Sequence, residues 1–176
     1  MKMLFIQTGG TIDKEYEEGA KAYHFIITSP SVERTLANAL PSFRHRTITV
    51  ARKDSLELTD SDRQAILDVC VSAPEGHIII THGTDTLIQT GSVLSAVKGK
   101  VIVLTGALKP ERFYTSDAPF NVGTAVGAVQ SLSPGVYIAM SGLVLGWDRI
   151  KKDPASGQFI AIDKDEAGEL QRAGGK

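Results

Sequence analysis

The chain has 176 residues, 42% of them hydrophobic and 22% charged, with 19 Lys and Arg against 20 Asp and Glu. That length suits one domain with a core that needs neither disulfide nor metal, and the composition speaks against disorder. A net charge of −1 leaves no basic excess for wholesale binding to nucleic acid or an anionic membrane, and a single cysteine, Cys70, excludes an intrachain disulfide or a cysteine-based metal cluster.

The first element is Met3-Leu4-Phe5-Ile6, a predicted strand that follows one positive charge and is too short for a signal peptide or membrane span. Ser29-Pro30 predicts an N-cap and first-turn proline, followed by Val32, Leu36, Ala39 and Leu40 on one helical face. Ile48-Thr49-Val50 reads as a second strand. Thr59 with Asp62 resembles an acidic capping box, and Ile66, Val69, Cys70 and Ala73 continue it as a helical stripe. Ile78-Ile79-Ile80 is a third strand, followed by a helix over about 84–97. Val101-Ile102-Val103-Leu104 is a fourth, followed by a helix over about 117–131 with Val122, Ala125, Val126 and Val129 aligned. Val136-Tyr137-Ile138-Ala139-Met140 is a fifth. Three of these runs are continuously apolar, as expected of strands buried on both faces of a parallel sheet. Strands alternating with helices predict an α/β, three-layer sandwich with a mostly parallel sheet in a single domain. Residues 1–162 contain no repeat or linker. Residues 163–176 are polar and read as a frayed tail, or as a short surface helix over 164–171 before it. A reducing, cytoplasmic setting is the simplest reading.

Ligands of open α/β sheets bind outside the carboxyl ends of the strands. There the chain places Thr8-Gly9-Gly10-Thr11, Thr81-His82-Gly83-Thr84-Asp85, Thr105-Gly106-Ala107 and Ser141-Gly142. Glycine lets backbone approach a ligand, and hydroxyls attack or donate hydrogen bonds. Each turn alone is equally well an ordinary strand-to-helix connection; four together point to a site. No phosphate-binding loop, dinucleotide fingerprint or G-x-S-x-G elbow is present. His24, His45, His77 and His82 lack metal-ligand spacing, and His82 is either a base or a histidine satisfied by nearby backbone. Threonine remains as the candidate nucleophile, which needs a base or a cation to activate it. Thr84 adjoins Asp85, and Lys151-Lys152-Asp153 follows the fifth strand. A lysine desolvated beside a threonine and oriented by a carboxylate would serve; a solvated charged loop is the alternative.

Thr8-Gly9-Gly10-Thr11-Ile12 and Thr81-His82-Gly83-Thr84-Asp85-Thr86 resemble the two signature segments of the bacterial-type L-asparaginase/glutaminase family. Asp54-Ser55-Leu56-Glu57-Leu58-Thr59-Asp60, Thr105-Gly106-Ala107-Leu108-Lys109-Pro110 and Ser116-Asp117-Ala118-Pro119-Phe120-Asn121 agree in order, so the likeness spans roughly residues 3–153. The fold expectation becomes a flavodoxin-like single domain, with residues 1–162 as an N-terminal-type catalytic domain and 163–176 as a C-terminal tail. The resemblance implies hydrolysis of L-asparagine to L-aspartate and ammonia through a threonine-bound acyl intermediate. Thr11 is then the nucleophile, and Thr84, Asp85 and Lys152 form a second triad. Lys152 rather than Lys151 follows from an ungapped alignment of residues 144–152. Substrate binding falls to Asp54, Ser55, Gly83, Thr84 and Asp85. Ser55 holds the α-carboxylate, Asp85 the α-ammonium, and the Thr84 N–H and hydroxyl the oxyanion.

Tyr16 is favoured over Tyr23 as the tyrosine that assists Thr11, and Glu17-Glu18-Gly19-Ala20 suits a lid. Leu56 stands where larger relatives often carry glutamine, removing a polar contact. Threonine, lysine and water suffice, so neither metal nor cofactor is expected. The partners expected are a small-molecule substrate and further copies of the chain, as a dimer or tetramer, with no nucleic acid and no membrane. The chain resembles short, single-domain members that lack the second domain of long ones, which predicts weaker substrate binding. Two other readings are a catalytically silent amino-acid sensor and an amidase for another side-chain amide, such as that of glutamine.

Overall fold

The structure, a computed structural model, describes residues 1–17 and 24–162. Tyr23, most of the expected lid stretch, and the expected tail over 163–176 lie outside the described residues.

β1 (Lys2–Gly9) is buried from its second residue to its last. A 3₁₀ turn (Thr11–Asp13) leads into an antiparallel hairpin of β2 (Lys14–Tyr16) and β3 (Phe25–Ile27). Next come α1 (Ser31–Ala39), β4 (Arg44–Lys53), α2 (Asp60–Ser72), β5 (His77–Thr81), α3 (Leu87–Leu94), β6 (Val101–Thr105), α4 (Ala118–Ser131) and β7 (Gly135–Met140). Ser141 and Gly142, both at positive φ, then turn the chain into β8 (Leu143–Gly146), which pairs antiparallel with β7. A last antiparallel pair, β9 (Ile150–Lys152) and β10 (Phe159–Ala161), follows.

The six-stranded sheet runs β4-β1-β5-β6-β7-β8, parallel except at β8. This is the expected mostly parallel sheet, with the strand order of flavodoxin-like folds. The winding direction reverses between β1 and β5, which opens a crevice at their carboxyl ends. Alternation along the strands builds a core on each face. Met3, Phe5, Ile79 and Val103 pack under α1 and α4, while Leu4, Ile6, Ile78 and Ile80 pack under α2 and α3. Each fully buried side chain of this size contributes about 1.5–3 kcal/mol.

The Thr59 capping box forms as predicted. The Thr59 hydroxyl accepts from Asp62 N–H at 3.2 Å, and the Asp62 carboxylate accepts from Thr59 N–H at 2.8 Å. The cap of α1 differs from expectation. Pro30, not Ser29, occupies the cap position and offers no side-chain acceptor. Asp13 supplies it from the turn after β1: its Oδ1 accepts from Ser31 N–H at 2.8 Å and from the Ser31 hydroxyl at 2.6 Å. Burial pushes the Asp13 carboxyl above the usual carboxylate range. The expected third helix is shorter than 84–97, because Thr84, Asp85 and Thr86 belong to the turn before it. The three-residue strands had no periodicity by which the sequence would reveal them.

Candidate active site

The crevice is lined by the turns that end β1, β4 and β5, and glycines let them meet. Gly10 lies at φ 85°, and a Cβ there would sit 2.3 Å from the backbone of Gly83. A Cβ on Gly83 would in turn lie 2.6 Å from the Cβ of Ser55. The Gly10 N–H donates to Lys53 O at 2.9 Å, extending the β1–β4 ladder by one bond. The Thr11, Ser55 and Thr84 turns are thereby packed side by side. Ser55 is fastened to the β5 turn: its hydroxyl accepts from Asp85 N–H at 3.3 Å, and its carbonyl accepts from the Thr86 hydroxyl at 2.7 Å.

Lys152 enters from β9, whose antiparallel register sets it opposite the buried Phe159. Its ammonium donates to Thr84 Oγ1 at 2.9 Å and to Asp85 Oδ1 at 2.6 Å. Thr84 is buried, while Lys152 and Asp85 are part-exposed. The structure thus brings together the three residues expected to form the second triad. Thr11 opens the 3₁₀ turn, half-buried, and its carbonyl accepts from Lys14 N–H. Tyr16 lies on β2, with its ring stacked on Phe25 at 4.5 Å between centroids and facing Phe113 at 6.3 Å.

Asp54 is engaged with protein groups. Its Oδ2 accepts from Lys14 Nζ at 2.7 Å, and its Oδ1 caps the 3₁₀ turn Ser55–Glu57. The Lys14 ammonium, above all, holds this carboxyl below its usual range. Leu56, on the same turn, is 73% exposed.

His82 resolves as a fold residue. It is fully buried, and burial pulls its pKa down to about 4, so the ring is neutral. Nδ1–H donates to Gly83 O at 2.8 Å, which leaves Nε2 to accept from the Thr90 hydroxyl at 2.8 Å. Both nitrogens are spent on holding the turn.

Asn121 and Asp117 have a role that sequence reasoning missed. The buried Asn121 amide donates to Gly106 O and Asp117 Oδ2, both at 2.9 Å, and accepts from Ser141 N–H at 3.0 Å. Asp117 also accepts from the N–H groups of Leu108 and Lys109. Together they tie the ends of β6 and β7. An asparagine in an otherwise apolar helical stripe was the available signal. Among the described residues, no group of three His, Cys, Asp or Glu is placed to hold a metal, and no helix is long and apolar enough to cross a membrane.

A switch-point crevice in a flavodoxin-like sheet, holding a threonine turn beside a threonine–lysine–aspartate cluster, defines a class of α/β protein. The comparisons narrow the class. The family profile described as Asparaginase, N-terminal, matches residues 2–176. The L-asparaginase of Thermococcus kodakarensis is 31% identical over 158 residues, covering 86% of this chain and 48% of the relative. A glutamyl-tRNA(Gln) amidotransferase subunit of Methanococcus vannielii is 31% identical over 143 residues, covering 78% and 33%. The solved structure of the thermostable Thermococcus kodakarensis L-asparaginase superposes with a TM-score of 0.79 at 30% identity, covering 92% of this chain and 51% of that one. The chain belongs to the asparaginase family. It spans about half the length of the L-asparaginase it matches and a third of the amidotransferase subunit.

Proposed function

We propose that the chain is an amidohydrolase that converts L-asparagine to L-aspartate and ammonia through a threonine nucleophile, with residues 1–162 as the catalytic unit. One observation carries this reading: Lys152 bridges the Thr84 hydroxyl and the Asp85 carboxylate beside the turn that bears Thr11. In this reading Thr11 Oγ1 attacks the amide carbon and its proton passes to the leaving nitrogen, with Tyr16 rather than Tyr23 assisting. The C–N bond breaks, ammonia leaves, and an ester remains on Thr11. A water then attacks the ester. Its proton passes to the Thr84 hydroxyl, whose own proton goes on to the departing Thr11 oxygen, while the Lys152 ammonium, held by Asp85, stabilises the negative charge on Thr84 Oγ1 during the relay. Aspartate leaves as the Thr11 hydroxyl is restored. The Thr84 N–H and hydroxyl receive the oxyanion.

The substrate assignments follow the same geometry. The Ser55 hydroxyl accepts from Asp85 N–H, so its own proton is available for the substrate α-carboxylate. The second carboxylate oxygen of Asp85 suits the α-ammonium, and Gly83 completes the wall. The reading puts the enzyme in the cytoplasm as a homo-oligomer.

A second reading, an amidase for another side-chain amide, draws support from two observations. One matching relative is named as an amidotransferase subunit, and Leu56 presents an exposed apolar side chain beside Ser55. A coupled ammonia assay with asparagine and glutamine side by side separates the two. The expected result is release from asparagine, lost in Thr11→Ala and in Thr84→Ala with the fold intact. Near-wild-type turnover in both variants overturns the threonine mechanism. Calorimetric binding of asparagine with no ammonia released indicates a sensor instead.

A further inference from the structure

Lys14 and Asp54 form an ion pair at 2.7 Å that lies between two of the three turns of the site. Lys14 is bound to the Thr11 turn through backbone, since its N–H donates to Thr11 O. Asp54 is bound to the Ser55 turn through both its backbone and its side chain. Its Oδ1 accepts from Leu56 N–H at 3.5 Å, and its N–H donates to Glu57 Oε2 at 3.3 Å. The β1–β4 ladder ends at Gly10 and Lys53, the last backbone rung before the two turns diverge. The ion pair picks up the connection beyond that rung. The Lys14 and Asp54 side chains are 26% and 33% exposed, so water screens the pair only in part.

We propose that Lys14 and Asp54 are a positioning pair, whose ion pair fixes the Thr11 turn against the Ser55 turn. This rests on the amidohydrolase reading above. In that reading Thr11 must meet an amide carbon whose place is set by the grip of Ser55 on the other end of the substrate. Misplacing an attacking group by about 1 Å costs up to ~10²-fold in rate. The Gly10–Gly83 and Gly83–Ser55 contacts hold each turn to the β5 turn. The Lys14–Asp54 pair closes the remaining side of the triangle. Asp54 therefore acts through Ser55 and Lys14, rather than by touching substrate as the family segment implied.

The test is a double-mutant cycle of Lys14→Gln, Asp54→Asn and the two combined. Asparagine at position 54 keeps an N-cap acceptor, so the cycle removes the ion pair and spares the turn. Each single variant is expected to lower kcat about tenfold with KM changed less than about threefold, and the double variant to be no worse than either single. Unchanged kcat in the singles, or losses that multiply in the double, overturns the pair. Hydrogen exchange of the same proteins gives a readout independent of turnover. Faster exchange confined to residues 10–14 and 55–58 supports the pair; unchanged exchange in both turns overturns it. Wild-type protein that releases no ammonia from any amide defeats the amidohydrolase reading, and exchange then decides the clamp alone.

Discussion

Lys152 reaches Thr84 across 68 positions of sequence, and that one contact sets an ammonium against the threonine hydroxyl. Removing it in Lys152→Met is expected, under the proposed mechanism, to lower kcat by about 10²–10³-fold, the range of a lost electrostatic stabiliser, while ligand-free stability stays near wild type. Turnover within a few-fold of wild type in a steady-state ammonia assay contradicts the assignment. Cys70 illustrates the opposite chemistry. It is fully buried, and burial pushes its thiol up to about 12. It is expected to resist a thiol-reactive probe in native protein at pH 8 and to react fully in denaturant; rapid native labelling would count against this burial. The residue types at the site were legible from the sequence because glycine–threonine turns are local. Their partners were legible only in part: the family segments implied the Thr84–Asp85–Lys152 grouping, while nothing in the sequence pointed to Lys14 for Asp54 or to Thr90 for His82.

Helices and turns carry their own dependencies. Lys100 caps the carboxyl end of α2, its ammonium donating to Cys70 O at 2.6 Å and Val71 O at 3.1 Å, and also to Ala73 O. Lys100→Met is expected to cost about 1 kcal/mol, read as a fall in Tm of roughly 2–4 °C by calorimetry. The Gly10 turn is less forgiving. At φ 85° with Gly83 backbone 2.3 Å from any Cβ, Gly10→Ala adds backbone strain to a clash and is expected to cost about 3 kcal/mol. A urea midpoint equal to wild type would show that the two turns do not pack so closely. The Thr59 capping box was readable because its partners are three residues apart. The α1 cap was not, since Asp13 arrives from 18 residues upstream.

Across the molecule, the titratable groups set a direction for stability with pH. His82 is held neutral with a pKa of about 4, against 6.5 for a free histidine, so between those values the unfolded chain binds a proton that the fold refuses. The His82 contribution is full above pH 6.5 and falls as pH drops towards 4. Glu75, buried under Arg46 and Lys2, and Asp62, paired with Lys53, are both lowered to about 2 and add further losses below about pH 4.5. Asp13, raised by burial, works the other way: its contribution is present at low pH and lost as pH rises through its folded value. Urea midpoints are expected to fall from pH 7 to 5.5 to 4, and Glu75→Gln to flatten the part below 4.5. A wild-type midpoint that rises on acidification would reverse this reading.

Local sequence was enough for the alternation of strands and helices, the two-faced burial of the central strands, and the threonine- and glycine-rich turns at their carboxyl ends. Each of these depends on neighbours within a few residues. The folded chain gave the expected Lys152–Thr84–Asp85 grouping its distances, and it alone joined Lys14 to Asp54 and chose backbone and Thr90 over catalysis for His82. The Lys152 and Lys14 contacts depend on sheet order, on where winding reverses, and on how closely glycines let turns approach. His82 lies near its partners in sequence, yet its neutrality comes from burial beneath the assembled sheet. Contacts between distant segments are set by packing, so no local pattern records them.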